Sequence, residues 1–121
     1  MAAARQLPAE DRVAYYQLAT TAGILRTDAA LAQRGRSGTG TSGDGALRAG
    51  RARLVVLRPR DASLARLGAP LGSAIDAFLR ASPGPARRAA ARRALAASAA
   101  VDAGLRHYVV RHQAQGVLVP D

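Results

Sequence analysis

The segment from Pro85 to Gln113 constrains this chain more than any other. It reads PARRAAARRALAASAAVDAGLRHYVVRHQ. Alanine and arginine are strong helix formers, and proline is favoured at the first helical position, so the segment predicts one long helix. Ala94, Ser98, Val101, Leu105, Tyr108 and His112 recur at 4-3-4-3-4 spacing and therefore share one face. That face begins small and ends large. Its small end lets a second helix approach closely, and Ala94, Ser98, Val101, Leu105 and Tyr108 are expected to form a helix-packing or interface surface.

The rest of the chain offers little bulk to build a core. There is one Phe, no Trp and three Tyr in 121 residues. Alanine buries little area, and apolar burial contributes only about 25 cal/mol per Å². A single domain over 1–121 is expected, mainly α, marginal alone and completed by neighbours. Helix 1 should run from Pro8 to Ala22, with acids Glu10 and Asp11 at the positive end of its dipole, and break at Gly23. A short helix from Thr27 to Arg34 should end at Gly35. Residues 35–50 hold six glycines and few apolar groups, which predicts a flexible loop. Arg51–Arg58, with Leu-Val-Val-Leu at its centre, is expected to be one short strand. Asp61 should cap a two-turn helix closed by Gly68, followed by a helix over Pro70–Ala81 with Leu71, Ile75, Phe78 and Leu79 on one face. Residues 1–7 read as an N-terminal arm. Residues 115–121 read as a tail that pairs with Leu54–Leu57 or docks on another subunit.

The net charge is +10, and every one of the 18 basic Lys/Arg positions is arginine. A G- and C-rich coding sequence explains arginine over lysine but not the shortage of acids. So basic a chain is drawn to polyanions. Two groups stand out as polyanion-binding candidates: Arg51, Arg53, Arg58 and Arg60, then Arg87, Arg88, Arg92 and Arg93. Guanidinium pairs bidentately with phosphate or carboxylate. The aromatic residues that stack unpaired bases are scarce, which argues against a single-strand recognition sheet.

Catalytic equipment is not evident. With no cysteine there is no thiol chemistry or Cys-based zinc site. His107 and His112 lie about 140° apart on a helix and cannot grip one metal. No catalytic residue, metal site, cofactor or small-molecule substrate is expected. Gly38–Gly43 formally matches a dinucleotide-binding glycine pattern but lacks the preceding strand and following helix, and reads as loop. No apolar run nears the length of a membrane span, and a cytoplasmic protein, or one in a particle assembled in the cytoplasm, is expected.

Two local patterns resemble DNA-binding motifs. Leu18–Ile24 followed by Thr27–Arg34, with Ala19 four residues before Gly23, resembles a helix-turn-helix. Arg53–Arg58, Asp61–Leu67 and Leu71–Arg80 resemble a ribbon-helix-helix order. Either implies a small dimeric DNA-binding regulator. The first expectation is different: a non-enzymatic structural or assembly subunit of a larger nucleic-acid-containing particle, such as a phage virion connector or minor capsid component. It would be oligomeric and contact nucleic acid or acidic neighbours through arginine. An inhibitor or adaptor on an acidic protein surface would use the same arginines.

Overall fold

The computed structural model describes residues 5–35 and 41–118, with side chains from Leu7 to Gly35 and from Asp44 to Gly116. Four helices are present among the described residues: α1 (Ala9–Gln33), α2 (Thr41–Val55), α3 (Ala62–Arg80) and α4 (Pro85–Ala114). Two-residue strands β1 (Arg5–Gln6) and β2 (Val117–Leu118) flank them.

Alanine sets the geometry of the main pair. α4 buries Ala91, Ala94, Ser98, Val101, Leu105 and Tyr108, a continuous 3-4-3-4-3 repeat. α1 answers with Asp11, Ala14, Leu18, Thr21 and Leu25, also at 3-4 spacing, plus Ala22 and Ala29. The two run antiparallel along their lengths: Gln33 reaches the Arg88 carbonyl, Arg26 meets Asp102, and the Tyr15 and Tyr108 rings lie 6.0 Å apart. The face expected on α4 for packing is thus filled by this chain's own α1 rather than left for a neighbour. Leu64, Leu71, Ile75 and Phe78 of α3 and Leu47 and Leu54 of α2 complete the core.

Glycine serves close approach in the same way. A Cβ on Gly50 would meet the Thr21 side chain at 3.0 Å, and one on Gly104 would meet Leu67 Cδ2 at 2.8 Å. Gly104 thus sits where Leu67 of α3 packs against α4.

Several local expectations are corrected. The strand over 51–58 is absent: Arg51–Val55 closes α2, and Val56 and Leu57 bond back to the Arg53 and Leu54 carbonyls. Leu54-Val55-Val56-Leu57 favours a strand only where a partner strand exists. Here a helix satisfies its own backbone while Leu47 and Leu54, seven residues apart, point inward. The loop over 35–50 is corrected for 41–50, which is helical; Ala46, Leu47, Arg48 and Ala49 propagate the helix, and buried Gly50 is packed on α1. Residues 36–40, with the start of the glycine pattern, lie outside the described residues.

α1 runs unbroken through Gly23, and α3 through Gly68 and Pro70. One internal glycine costs only about 1 kcal/mol, less than packing over so many turns recovers. The helix-turn-helix and ribbon-helix-helix patterns therefore lack, respectively, the turn and the strand they require. Asp61 does cap α3, its side chain accepting from the Ser63 N–H.

Among the described residues, the tail pairs through Val117 and Leu118 with β1 and not with Leu54–Leu57. Because α1 starts where α4 ends, their flanking segments meet; Gly116, at φ 75°, turns the chain and β2 runs parallel to β1. Leu7, in the expected arm, is buried. No described helix is long and apolar enough to cross a membrane.

Replacing Ala94 by Leu should overfill the α1–α4 seam and destabilise the fold by about 1–3 kcal/mol, lowering the melting temperature. The same change at exposed Ala99 should leave it nearly unchanged, and equal effects at the two positions would contradict this seam.

Candidate functional site

The charged groups are sorted by sign. Eight acids stand against 18 arginines. Five acids make ion pairs that each join two different parts of the chain: Glu10–Arg60 at 2.8 Å, Asp44–Arg87 at 3.1 Å, Asp61–Arg111 at 2.7 Å, Asp76–Arg51 at 3.0 Å and Asp102–Arg26 at 2.6 Å. Asp11 is buried and accepts the backbone N–H groups of Arg60 at 2.6 Å and Asp61 at 3.2 Å, just ahead of α3. Asp28 is half-buried in α1; burial pushes its carboxyl above the ordinary value, Asp44 adds to this and Arg87 opposes it.

The first arginine group does not form one surface. Arg51 grips Asp76 with two nitrogens, packed so closely on Gly72 that a Cβ there would meet its guanidinium at 2.8 Å. Its hydrogen bonds hold the Asp76 carboxyl below the usual range. Arg58 donates to the Val55 and Leu57 carbonyls and closes α2. Arg60 pairs with Glu10, and Arg53 is exposed. In the second group, Arg87 lies 4.3 Å above the Phe78 ring while bonding Asp44, so it is a structural clamp. Arg88, Arg92 and Arg93 are exposed, outside any ion pair among the described residues.

The same holds for Arg12, Arg34, Arg48, Arg66, Arg80 and Arg106, which lie outside both sequence clusters. Isolated in sequence, they give no local signal; only placing every acid reveals them. Arg88 and Arg106 sit on one line of α4 about five turns apart, with Arg92 about 40° away. Arg34 ends α1 and Arg80 ends α3, both at the end of the molecule where α4 begins.

That arrangement opposes the helix dipole. The first turn of α4 contains no acid but holds Arg87 and Arg88 at its positive end. Cations there are disfavoured. Asp44 relieves Arg87, whereas nothing described relieves Arg88.

A polar cluster occupies the opposite end. Asp61 accepts from the Ser63 hydroxyl and from Arg111, and His112 Nε2 lies 3.6 Å from the same carboxylate. Burial works to raise the Asp61 carboxyl, but the bonds from Ser63 and Arg111 outweigh it and hold the group low. The His112 ring is stacked 4.0 Å from Tyr108, and its Nδ1 is 2.9 Å from the Tyr108 carbonyl; His107 is exposed. The Ser63 hydroxyl gives its proton to Asp61 and accepts from Arg111 at 3.1 Å, and neither bond involves the imidazole. The cluster pins the end of α4 to the start of α3. No group of three or more metal-binding side chains occurs among the described residues.

Comparison with protein-family models, with curated proteins and with solved structures finds no match to this chain.

Two outcomes are expected. Arg88→Glu should raise stability by about 0.3–1 kcal/mol by complementing the dipole, measured by urea denaturation at low salt. The Tyr108 hydroxyl is buried without a partner among the described residues, and burial, aided by Asp11 and Asp61, pushes its pKa from 10.0 to about 12. Between those values the folded chain keeps a proton the unfolded chain has lost, so stability falls as pH rises from about 10 to about 12. Tyr108→Phe should abolish that part of the alkaline loss; an unchanged pH profile would count against it.

Proposed function

We propose that this chain is a non-enzymatic structural or assembly subunit of a nucleic-acid-containing particle, and that its exposed arginines lie against phosphate. The observation that carries this reading is the division of charge. Five acids are spent in ion pairs between elements and Asp11 on buried backbone N–H groups, while arginines without ion-pair partners are spread over the outside. A folded chain gains nothing from that surplus, because like charges repel across a compact body. A polyanion removes the repulsion and releases its own counterions as it binds.

Arg88 strengthens the reading, since its helix-end position is unfavourable until an anion arrives. The spread of guanidinium groups over several helices suits backbone contact and not base reading. Base readout needs a protruding helix or ribbon in a groove, and both motifs resembling one lack a required element.

The test is binding to random-sequence and defined duplexes over a range of salt. The logarithm of affinity should fall linearly with the logarithm of salt, with a slope of about −0.9 per phosphate contact. Affinity should be equal across sequences. Converting Arg88, Arg92 and Arg93 together to Gln should shrink the slope by about 3 if each makes one contact. Salt-resistant preference for one duplex would instead favour a small DNA-binding regulator, and binding only to an acidic protein would favour an adaptor.

A further inference from the structure

α2 and α3 form a hairpin, joined by residues 56–61 and tied further along by the Arg51–Asp76 pair. Between the connection and that pair lies a cleft of about 300 Å³, at the small end of the range for ligand sites. Leu54 and Val55 of α2 and Leu64 and Gly68 of α3 form its walls, and buried Leu18 of α1 lies beneath. Gly68, Gly72 and Asp76 stand one turn apart on α3. The Arg51 guanidinium covers Gly72, where a Cβ would meet it at 2.8 Å, whereas a Cβ on Gly68 would meet no atom within 4 Å. Glycine weakens a helix relative to alanine, and at position 68 its missing side chain widens the cleft.

The charge at this cleft has one sign. Two cations, Arg51 and Arg58, line it, and no acid does so among the described residues. Arg51 is neutralised by Asp76. Arg58 is not neutralised: it makes no ion pair among the described residues. One of its terminal nitrogens donates to the Val55 carbonyl at 3.0 Å and to the Leu57 carbonyl at 2.8 Å. These bonds fix the guanidinium beside the cleft without cancelling its charge, and they leave its remaining N–H donors for a ligand. Such a group is organised before a ligand arrives, which lowers the cost of binding. Apolar walls call for an apolar body. One uncompensated guanidinium calls for one negative charge, and it pairs bidentately with carboxylate.

We infer that this cleft binds an aliphatic monocarboxylate, with the chain between Leu54, Leu64 and Gly68 and the carboxylate on Arg58. The nucleic-acid test above converts Arg88, Arg92 and Arg93, none of which lines the cleft, so either reading can fail alone.

Titration of the isotope-labelled full chain with octanoate, followed through its amide chemical shifts, tests the inference. The amides of Leu54, Leu57, Leu64 and Gly68 should shift and saturate, with a Kd on the order of 1 mM. Acetate lacks the chain and octylammonium reverses the charge, and each should bind at least about tenfold more weakly. Arg58→Gln should weaken octanoate about tenfold and leave octanol unchanged, because only the carboxylate uses the guanidinium. Gly68→Leu should abolish binding of both while keeping or raising the melting temperature, since leucine is the better helix former and enters open space. Absence of saturable shifts, shifts spread over the exposed arginines instead of the cleft, or octanoate binding unaffected by Arg58→Gln overturns the inference. If that variant misfolds, undiminished octanoate binding by Gly68→Leu does so.

Discussion

A helix pair lined with alanine holds only if its axes come close and stay close over many turns. Each alanine removes little area from water, so the total must come from length and proximity. Everything else in this structure follows from that constraint. α1 and α4 are the longest helices, and they meet along almost their whole extent. Leu18, Leu25, Val101 and Leu105 add bulk along the seam, and the rings sit at its ends: Tyr15, Tyr108 and His112 at one, Phe78 under Arg87 at the other. Because α1 and α4 are antiparallel and nearly matched in length, the strands beyond them are brought together and pair.

The seam also explains how the acids are used. Ion pairs between elements lie around the margin of the core. Arg51–Asp76 joins α2 to α3, Arg87–Asp44 joins α4 to α2, and Arg111–Asp61 joins α4 to the cap of α3. Exposed pairs of this kind contribute about 0–1 kcal/mol each, so they locate the helices more than they stabilise them. Their consequence is on the outside. Acids tied down in this way cannot neutralise neighbouring surface arginines, and the unpaired cations become a property of the fold.

The long C-terminal helix and the α3 face were legible because strong formers and regular spacing agree there. Leu71, Ile75 and Phe78 are buried as their positions dictate. Gly23, Gly68 and Pro70 misled because each is a local breaker whose cost is smaller than the packing of a helix through it. Val55 and Val56 misled in the opposite sense: their β preference is real, but a strand needs a partner, and among the described residues none lies beside α2. The two arginine clusters were legible as charge but not as chemistry. Arg87 looks like its neighbours Arg88, Arg92 and Arg93 in sequence, yet Asp44, 43 residues earlier, makes it a clamp. Such pairings exist only once the helices are antiparallel, and no spacing rule contains them.

Charge ties this fold to the function proposed for it. Two copies each bearing +10 repel wherever they meet. On the proposed reading, phosphate against Arg88, Arg92 and Arg106 would cancel part of the charge on both copies. A polyanion would then lower the cost of bringing copies together, and by thermodynamic reciprocity their proximity would raise affinity for it. No conformational change is required for such coupling. The small alanine core has only to place the charge, because the coupling would reside in the surface.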